Sequence, residues 1–402
     1  MSRSPFASRR ALLAGAGSLF AWGYAPRLAS AARRDPRLLV VILRGGLDGL
    51  AAVPALGDPD FDSARLAPEL REAGATLPLD GFFAINRNMP ALAQLYQDRQ
   101  ALILHAVASP YRDRSHFDAQ DLLESGLPKL VDGGRSGWLN RVLAGLPRGE
   151  RLPPPKGLAI APTIPVILQG GAPVETWQRQ AFAYADDDTV ARLLDLYEAR
   201  DPKLAAALRD GVLLDNVTMA EDGMAPGRTA GRLDFATDAA GAARIMARPD
   251  GPRIGAMAFS GWDTHADQGS ITGGLGKRLA ALDAAIGAFR SGLGPVWEDT
   301  VVAVVTEFGR TVRLNGSRGT DHGTATTAFL IGGAVKGGRV LADWPGLGQQ
   351  QLREGRDLAP TTDLRAVMKG ILAEHLGIGD AALGGTVFPQ SEALVRLRGL
   401  CG

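Results

Sequence analysis

The sequence predicts an α/β fold, a mainly parallel central sheet flanked by helices on both faces. Short apolar runs rich in β-branched residues, Leu38–Leu43, Ala101–Val107, Ile254–Phe259 and Val301–Thr306, alternate with amphipathic stretches of helical length. The runs are continuously apolar, as strands buried on both faces must be. The 402-residue chain is also 46% hydrophobic but only 6% aromatic, so its core has to be built from Ala, Leu, Val and Ile.

Residues 1–31 read as a twin-arginine signal peptide. Ser8-Arg9-Arg10-Ala11-Leu12-Leu13 opens it, an apolar stretch runs to Ala25, and Ala29-Ser30-Ala31 offers small residues to a signal peptidase. The stretch is 15 residues long, short of the roughly 20 that span a bilayer. The expectation is export by the twin-arginine machinery to the periplasm or beyond, with no permanent membrane anchor. Residues 32–402 are expected to form a single α/β domain.

After the first strand, Pro90–Gln97 is a helix with Asn88 as its cap, and His116–Glu124 a helix following the second strand. Residues 133–232 are turn-rich and weak in strand signals, an expected insertion that shapes a substrate cleft. Within it Leu158–Ala161 and Val166–Leu168 are candidate strands and Thr189–Glu198 a candidate helix. Helices at Asp234–Met246 and Leu275–Phe289 bracket the third strand. A further strand at Thr327–Ile331 precedes a last helix at Leu364–Glu374, capped by Asp363.

The chain has 44 basic and 43 acidic residues, and the leader holds four arginines and no acid, leaving the remainder at a net charge of −3. That balance implies no surface for nucleic acid. The single cysteine, Cys401, excludes an internal disulfide.

Polar motifs begin where the strands stop, the position at which open α/β sheets bind ligands. They are Arg44-Gly-Gly-Leu-Asp48-Gly, Arg114-Ser115-His116-Phe-Asp, Gly-Trp262-Asp263-Thr-His265, Thr306-Glu307-Phe308-Gly-Arg310 and Thr-Asp321-His322-Gly. His116, His265 and His322 with these carboxylates suggest one shared metal site. Asp263 and His265, two apart, point to the same side of an extended chain. Asp321 and His322 are adjacent, so a Gly-rich loop must turn one of them inward. Each residue also has a plainer role open to it. Asp48 suits a turn or helix cap, Trp262 packing, and Glu307 with Arg310 a local ion pair. His105 and His375 read as structural, the latter at a helix C-terminus.

The motif set, extended by Asn315-Gly-Ser-Arg-Gly-Thr-Asp321-His322-Gly and Val335-Lys-Gly-Gly, resembles the domain-of-unknown-function family fifteen-oh-one. The likeness covers nearly the whole chain after the leader. That family consists largely of exported bacterial proteins grouped with the alkaline phosphatase and sulfatase superfamily. The resemblance implies a metal centre of Asp48, Asp263, His265, Glu307, Asp321 and His322 holding one or two divalent ions. Mixed His and carboxylate donors suit Zn²⁺ or Mn²⁺. It also places Ser115 where the superfamily has its nucleophile, at the head of a helix that would favour a phosphate or sulfate. An N-cap is the alternative for Ser115. His116 is then a ligand or proton donor, and Arg112, Arg114 or Arg310 the partner of nonbridging oxygens. Two departures stand out. Phe308 sits where the superfamily has a second ligand, and Ala108-Ser-Pro-Tyr-Arg112 has the outline of a sulfatase motif with Ala at its head.

The function expected is an exported, metal-dependent hydrolase of phosphate or related esters, with a small-molecule or glycan ester as substrate. The alternatives are a noncatalytic metal-containing envelope protein that binds or scaffolds, or an atypical sulfatase.

Overall fold

The computed structural model describes residues 34–130, 136–146, 156–178, 187–219 and 234–402. The expected leader, residues 1–31, lies outside the described residues. By contacts the chain divides into Met1–Asp35 and Pro36–Gly402, and the second unit holds every element below.

The strands are β1 (Arg37–Arg44), β2 (Thr76–Pro78), β3 (Ala84–Asn86), β4 (Ala101–Ala108), β5 (Gly157–Ile160), β6 (Val174–Trp177), β7 (Ile254–Ser260), β8 (Thr300–Val305), β9 (Thr326–Ile331), β10 (Arg339–Leu341) and β11 (Thr362–Asp363). Nine of them form one sheet in the order β10-β4-β9-β8-β1-β7-β5-β6, with β11 beside β4. All pairings are parallel except those of β9, which runs antiparallel to both β4 and β8. The helices of eight residues or more are α1 (Pro90–Gln97), α2 (His116–Ser125), α3 (Trp138–Gly145), α4 (Asp187–Arg200), α5 (Pro202–Met219), α6 (Phe235–Ala247), α7 (Gly274–Leu293) and α8 (Leu364–Leu376). The chain thus has the α/β fold its apolar runs predict.

β1 shows why those runs are unbroken. Leu39, Val41 and Leu43 face one core with α1, α6 and α7, while Leu38, Val40 and Ile42 face a second core with α3 and α8. Successive strand side chains point to opposite faces, so a strand covered on both sides has no polar position to spare. Each such Leu, Val or Ile contributes roughly 1.5–3 kcal/mol by burial. In α7 the buried residues Leu275, Leu279, Leu282, Ile286, Phe289 and Leu293 recur at three- and four-residue spacing and form the stripe against α6.

Two local expectations are corrected. Val166–Leu168 is a 3-10 turn rather than a strand, since Pro165 precedes it and Ile167 N–H donates to Glu124 instead of to a neighbouring strand. Asn88 does not cap α1. Its amide reaches Ile271 O and Asn86 Oδ1, and the free N–H groups of Ala91 and Leu92 go to Asp283 on α7, each at 2.9 Å. A carboxylate from another helix therefore caps α1. The described parts of residues 133–232 supply β5 and β6, which extend the sheet beyond β7 in parallel register.

A candidate metal centre

The C-terminal ends of β1, β4, β7 and β8 lie along one edge of the sheet. Although β9 runs the other way, the chain between β8 and β9, residues 306–325, leaves and re-enters the sheet at this same edge. That excursion is pinned to itself by Gly309 N–H to Thr324 O and Thr311 N–H to Asp321 O, and to the loop after β7 by Thr320 N–H to Thr264 O. The turn after β1 comes close enough to touch it all. Gly45 has φ 122°, and a Cβ there would lie 2.4 Å from Asp263 N, so only glycine fits.

Three imidazoles meet at this edge. His322 Nε2 lies 3.0 Å from His116 Nε2 and 3.0 Å from His265 Nε2. Asp263 completes the group, with Oδ1 3.0 Å from His265 Nε2 and 3.3 Å from His322 Nε2, and Oδ2 3.4 Å from His116 Nε2. Each ring is held from behind by an oxygen at Nδ1: Glu307 Oε1 at 2.8 Å for His116, Asp321 Oδ1 at 3.2 Å for His265, and Arg114 O at 2.9 Å for His322. These acceptors assign the proton of each neutral ring to Nδ1. The unprotonated Nε2 of His322 then faces the Nε2 lone pairs of His116 and His265 at about 3 Å beside a carboxylate, a repulsive arrangement unless a cation sits among them, and one donor atom each of His116, Asp263 and His322 lies within 4.8 Å of the others. Tetrahedral Zn²⁺ with bonds of about 2.0–2.1 Å holds its donor atoms roughly 3.3 Å apart. The donor set, its spacing and its oxygen-backed imidazoles therefore fit a divalent ion.

The remaining sequence candidates are brought to the centre or its surroundings, but most of them hold a neighbour. Glu307 is fully buried, and its two oxygens take up His116, Gly45 N–H, Gln120 and Thr306 Oγ1. Burial pushes its pKa up, yet the bonds from His116 and Gln120 more than offset that and keep it below the usual glutamate value. The same contact raises His116, while burial lowers His322. Arg310 is buried, with Nη1 donating to Asp263 Oδ1 at 2.5 Å and to Gly45 O, and with Nε and Nη2 donating to Thr320. Asp263 is penalised by partial burial, but Arg310 draws its pKa down. Asp321 is half exposed and divides its Oδ1 between His265 and Asn315.

Asp48 is tied elsewhere. Its oxygens bind the Arg65 guanidinium, Gln268 Nε2 and Ala51 N–H, all buried. Ser115 caps α2, accepting from Asp118 N–H. Trp262 is fully buried in the core. Phe308 lies against the rings of His116 and His322, with centroids 4.7 and 5.2 Å away, and closes that side of the centre. His105 bonds Val53 O and Ala106 N–H inside β4, and His375 bonds Arg37 O at the end of α8.

Sequence reading missed two contributors and gave a third, Arg114, another role. Gln120, one helical turn beyond His116, was findable from its spacing on α2. Arg65 carries no motif signal. Arg114 was singled out as an anion binder, whereas its guanidinium is bound by Asp357 and Glu354 and its main-chain carbonyl serves His322. Arg114 has φ 61°, left-handed backbone that costs a non-glycine residue roughly 1–2 kcal/mol.

Residues 85–387 match the family described as protein of unknown function, DUF1501. The chain belongs to this family. The DUF1501 span includes all three histidines of the cluster with Asp263, Glu307 and Asp321, and leaves Asp48 outside. Curated proteins provide no match to this DUF1501 chain. Among solved structures it is similar to Ps i-CgsB in complex with k-i-k-neocarrahexaose, at 10% identity and a TM-score of 0.35 over 74% of this chain and 65% of that one. It is also similar to the C-terminal periplasmic domain of EcEptC from Escherichia coli in complex with Zn, at 12% identity and a TM-score of 0.32 over 74% and 72%. A third likeness is to the phosphonate monoester hydrolase of Agrobacterium radiobacter, at 12% identity and a TM-score of 0.36 over 86% and 74%. The chain spans a little under two thirds of the first of these. At such scores neither residue roles nor activity pass from those proteins to this one.

Proposed function

We propose that this chain is a metal-dependent hydrolase acting on phosphate or related esters. The observation that carries the metal is the meeting of three Nδ1-anchored imidazoles and Asp263 at about hydrogen-bond separation. His116, Asp263, His265 and His322 would hold one divalent ion, Zn²⁺ or Mn²⁺. The site is also open, since His265 and Asp263 keep 48% and 39% of their side-chain surface exposed, which favours a catalytic over a closed structural ion. When bound, such an ion acts as a Lewis acid and lowers the pKa of a nucleophilic water.

The protein's own groups supply the rest. Glu307, Asp321 and the Arg114 carbonyl fix the rings in the tautomer that presents Nε2. Arg310 holds Asp263 in place, and Phe308 excludes water from the buried flank. Ser115 Oγ caps α2 by accepting from Asp118 N–H, and the attacking group proposed is a water at the metal site. The ester class rests on the family resemblance. Delivery to the periplasm by the twin-arginine leader is part of the same proposal, and no helix among the described residues is long and apolar enough to cross a membrane.

Elemental analysis of protein exported through its own leader, followed by a panel of phosphate, phosphonate and sulfate esters, tests the reading. Stoichiometric Zn or Mn with turnover is expected. Metal without turnover would assign the chain a binding or scaffolding role, and no metal after incubation with either ion would overturn the proposal.

A further inference from the structure

We infer that Arg114 and Asp357 form a positioning pair that sets the tautomer and aim of His322, an inference that rests on the metal reading above. His322 differs from the other two histidines in that a main-chain carbonyl backs it. His116 and His265 each have a carboxylate behind Nδ1, whose charge alone favours a proton there. His322 has only the Arg114 carbonyl, at 2.9 Å. A neutral acceptor selects the tautomer less strongly, so its direction has to be fixed by other means.

The structure contains such means. Arg114 is the residue immediately before the α2 cap, and it is in the left-handed region that a β-carbon disfavours. This conformation requires compensation from the side chain. The guanidinium meets Asp357 Oδ2 with Nε at 3.2 Å and Nη2 at 2.9 Å, and Glu354 Oε2 at 2.6 Å. Asp357 has no solvent exposure, and its Oδ2 also accepts from Thr324 Oγ1 at 2.8 Å, two residues beyond His322. The same loop returns to the histidine a second time, because Arg356 Nη2 donates to His322 O at 2.8 Å. A buried carboxylate thus links the residue whose carbonyl backs His322 to the strand lead-in that carries His322. Pulling Arg114 toward Asp357 holds its carbonyl on Nδ1 and leaves Nε2 free for the ion.

Arg114→Gln together with Asp357→Asn tests this. Removing both charges avoids the unpaired buried carboxylate that Arg114→Gln alone would leave at Asp357, and Arg114→Lys provides a second variant that keeps the charge but loses the two-nitrogen grip. Cobalt(II) affinity is measured by chelator competition, cobalt geometry by visible absorption, and the His322 tautomer in the metal-free protein by long-range proton–nitrogen correlation. The double variant is expected to bind cobalt about 10- to 100-fold more weakly, with altered band intensities and a mixed His322 tautomer, and Arg114→Lys to fall between it and the parent. Parent-like affinity and an unmixed Nδ1–H tautomer in the double variant would overturn the inference. If the parent itself binds no cobalt, the metal reading fails, and the tautomer comparison still decides the role of the pair.

Discussion

Glu307 Oε1 lies 2.8 Å from His116 Nδ1 in a position without solvent access, and the same oxygen receives Gly45 N–H and Gln120. A strand end, a glycine turn and a helix N-terminus are thereby joined through one carboxylate. Glu307→Gln offers an amide that can turn its NH₂ toward Nδ1 and drive the ring proton to Nε2. Divalent-ion affinity is expected to fall about 10- to 100-fold with the fold retained. Chelator competition measures it, and an unchanged affinity would reduce Glu307 to packing.

Ser115→Ala removes the α2 cap and should cost roughly 1 kcal/mol of stability. With water as nucleophile, turnover on the best ester stays within a few-fold of the parent. A loss beyond a hundredfold with metal content intact would restore Ser115 as the attacking group.

Metal-free protein should gain thermal stability on titration with Zn²⁺, by about 2.7 kcal/mol at a hundredfold excess over the dissociation constant. In His322→Ala that dependence should disappear, because His322 Nε2 is the atom shared by both imidazole contacts. Scanning calorimetry with and without ion reads both, and an equal gain in the variant would contradict the site.

His105 is fully buried beside Phe83 and Trp344, and burial lowers its pKa from 6.5 to about 4. The unfolded chain therefore binds a proton between those values that the folded chain refuses. Stability from this group is complete above pH 6.5 and is lost as the pH falls toward 4, by roughly 3 kcal/mol at most. Urea midpoints at pH 7 and pH 4.5 should differ less in His105→Gln than in the parent. Parallel slopes would show that His105 does not titrate in that window.

Asp283→Ala leaves the Ala91 and Leu92 N–H groups without an acceptor at the start of α1. The expected cost is about 1–2 kcal/mol in urea denaturation at constant slope. A change under 0.3 kcal/mol, roughly that of an ordinary surface substitution, would mean water replaces the cap.

Periodicity and position made much of this molecule readable in advance. β1 declared itself because a strand covered on both faces cannot carry a polar residue, and His116, His265 and His322 because each follows a strand end or its return. The division of labour among the carboxylates was not readable. Asp263 meets the imidazole Nε2 atoms while Glu307 and Asp321 stand behind the rings, and that depends on which side of each imidazole the backbone delivers. Residue type is silent on this. Asp48 has a ligand's sequence position and a structural partner, since Arg65 comes from a helix with no motif. Val166–Leu168 has strand composition, but Pro165 and the pull of Glu124 on Ile167 decide otherwise.

His116 and His322 are 206 residues apart, and His322 and Asp263 are 59 apart. An ion held among them ties three distant stretches of chain with a single knot, much as a disulfide would in a chain whose only cysteine is Cys401. On the proposed reading, such an ion would govern how the protein is dismantled as well as what it does. Stripped of it, residues 306–325 should be the first to yield to a protease, while the strands behind them remain whole.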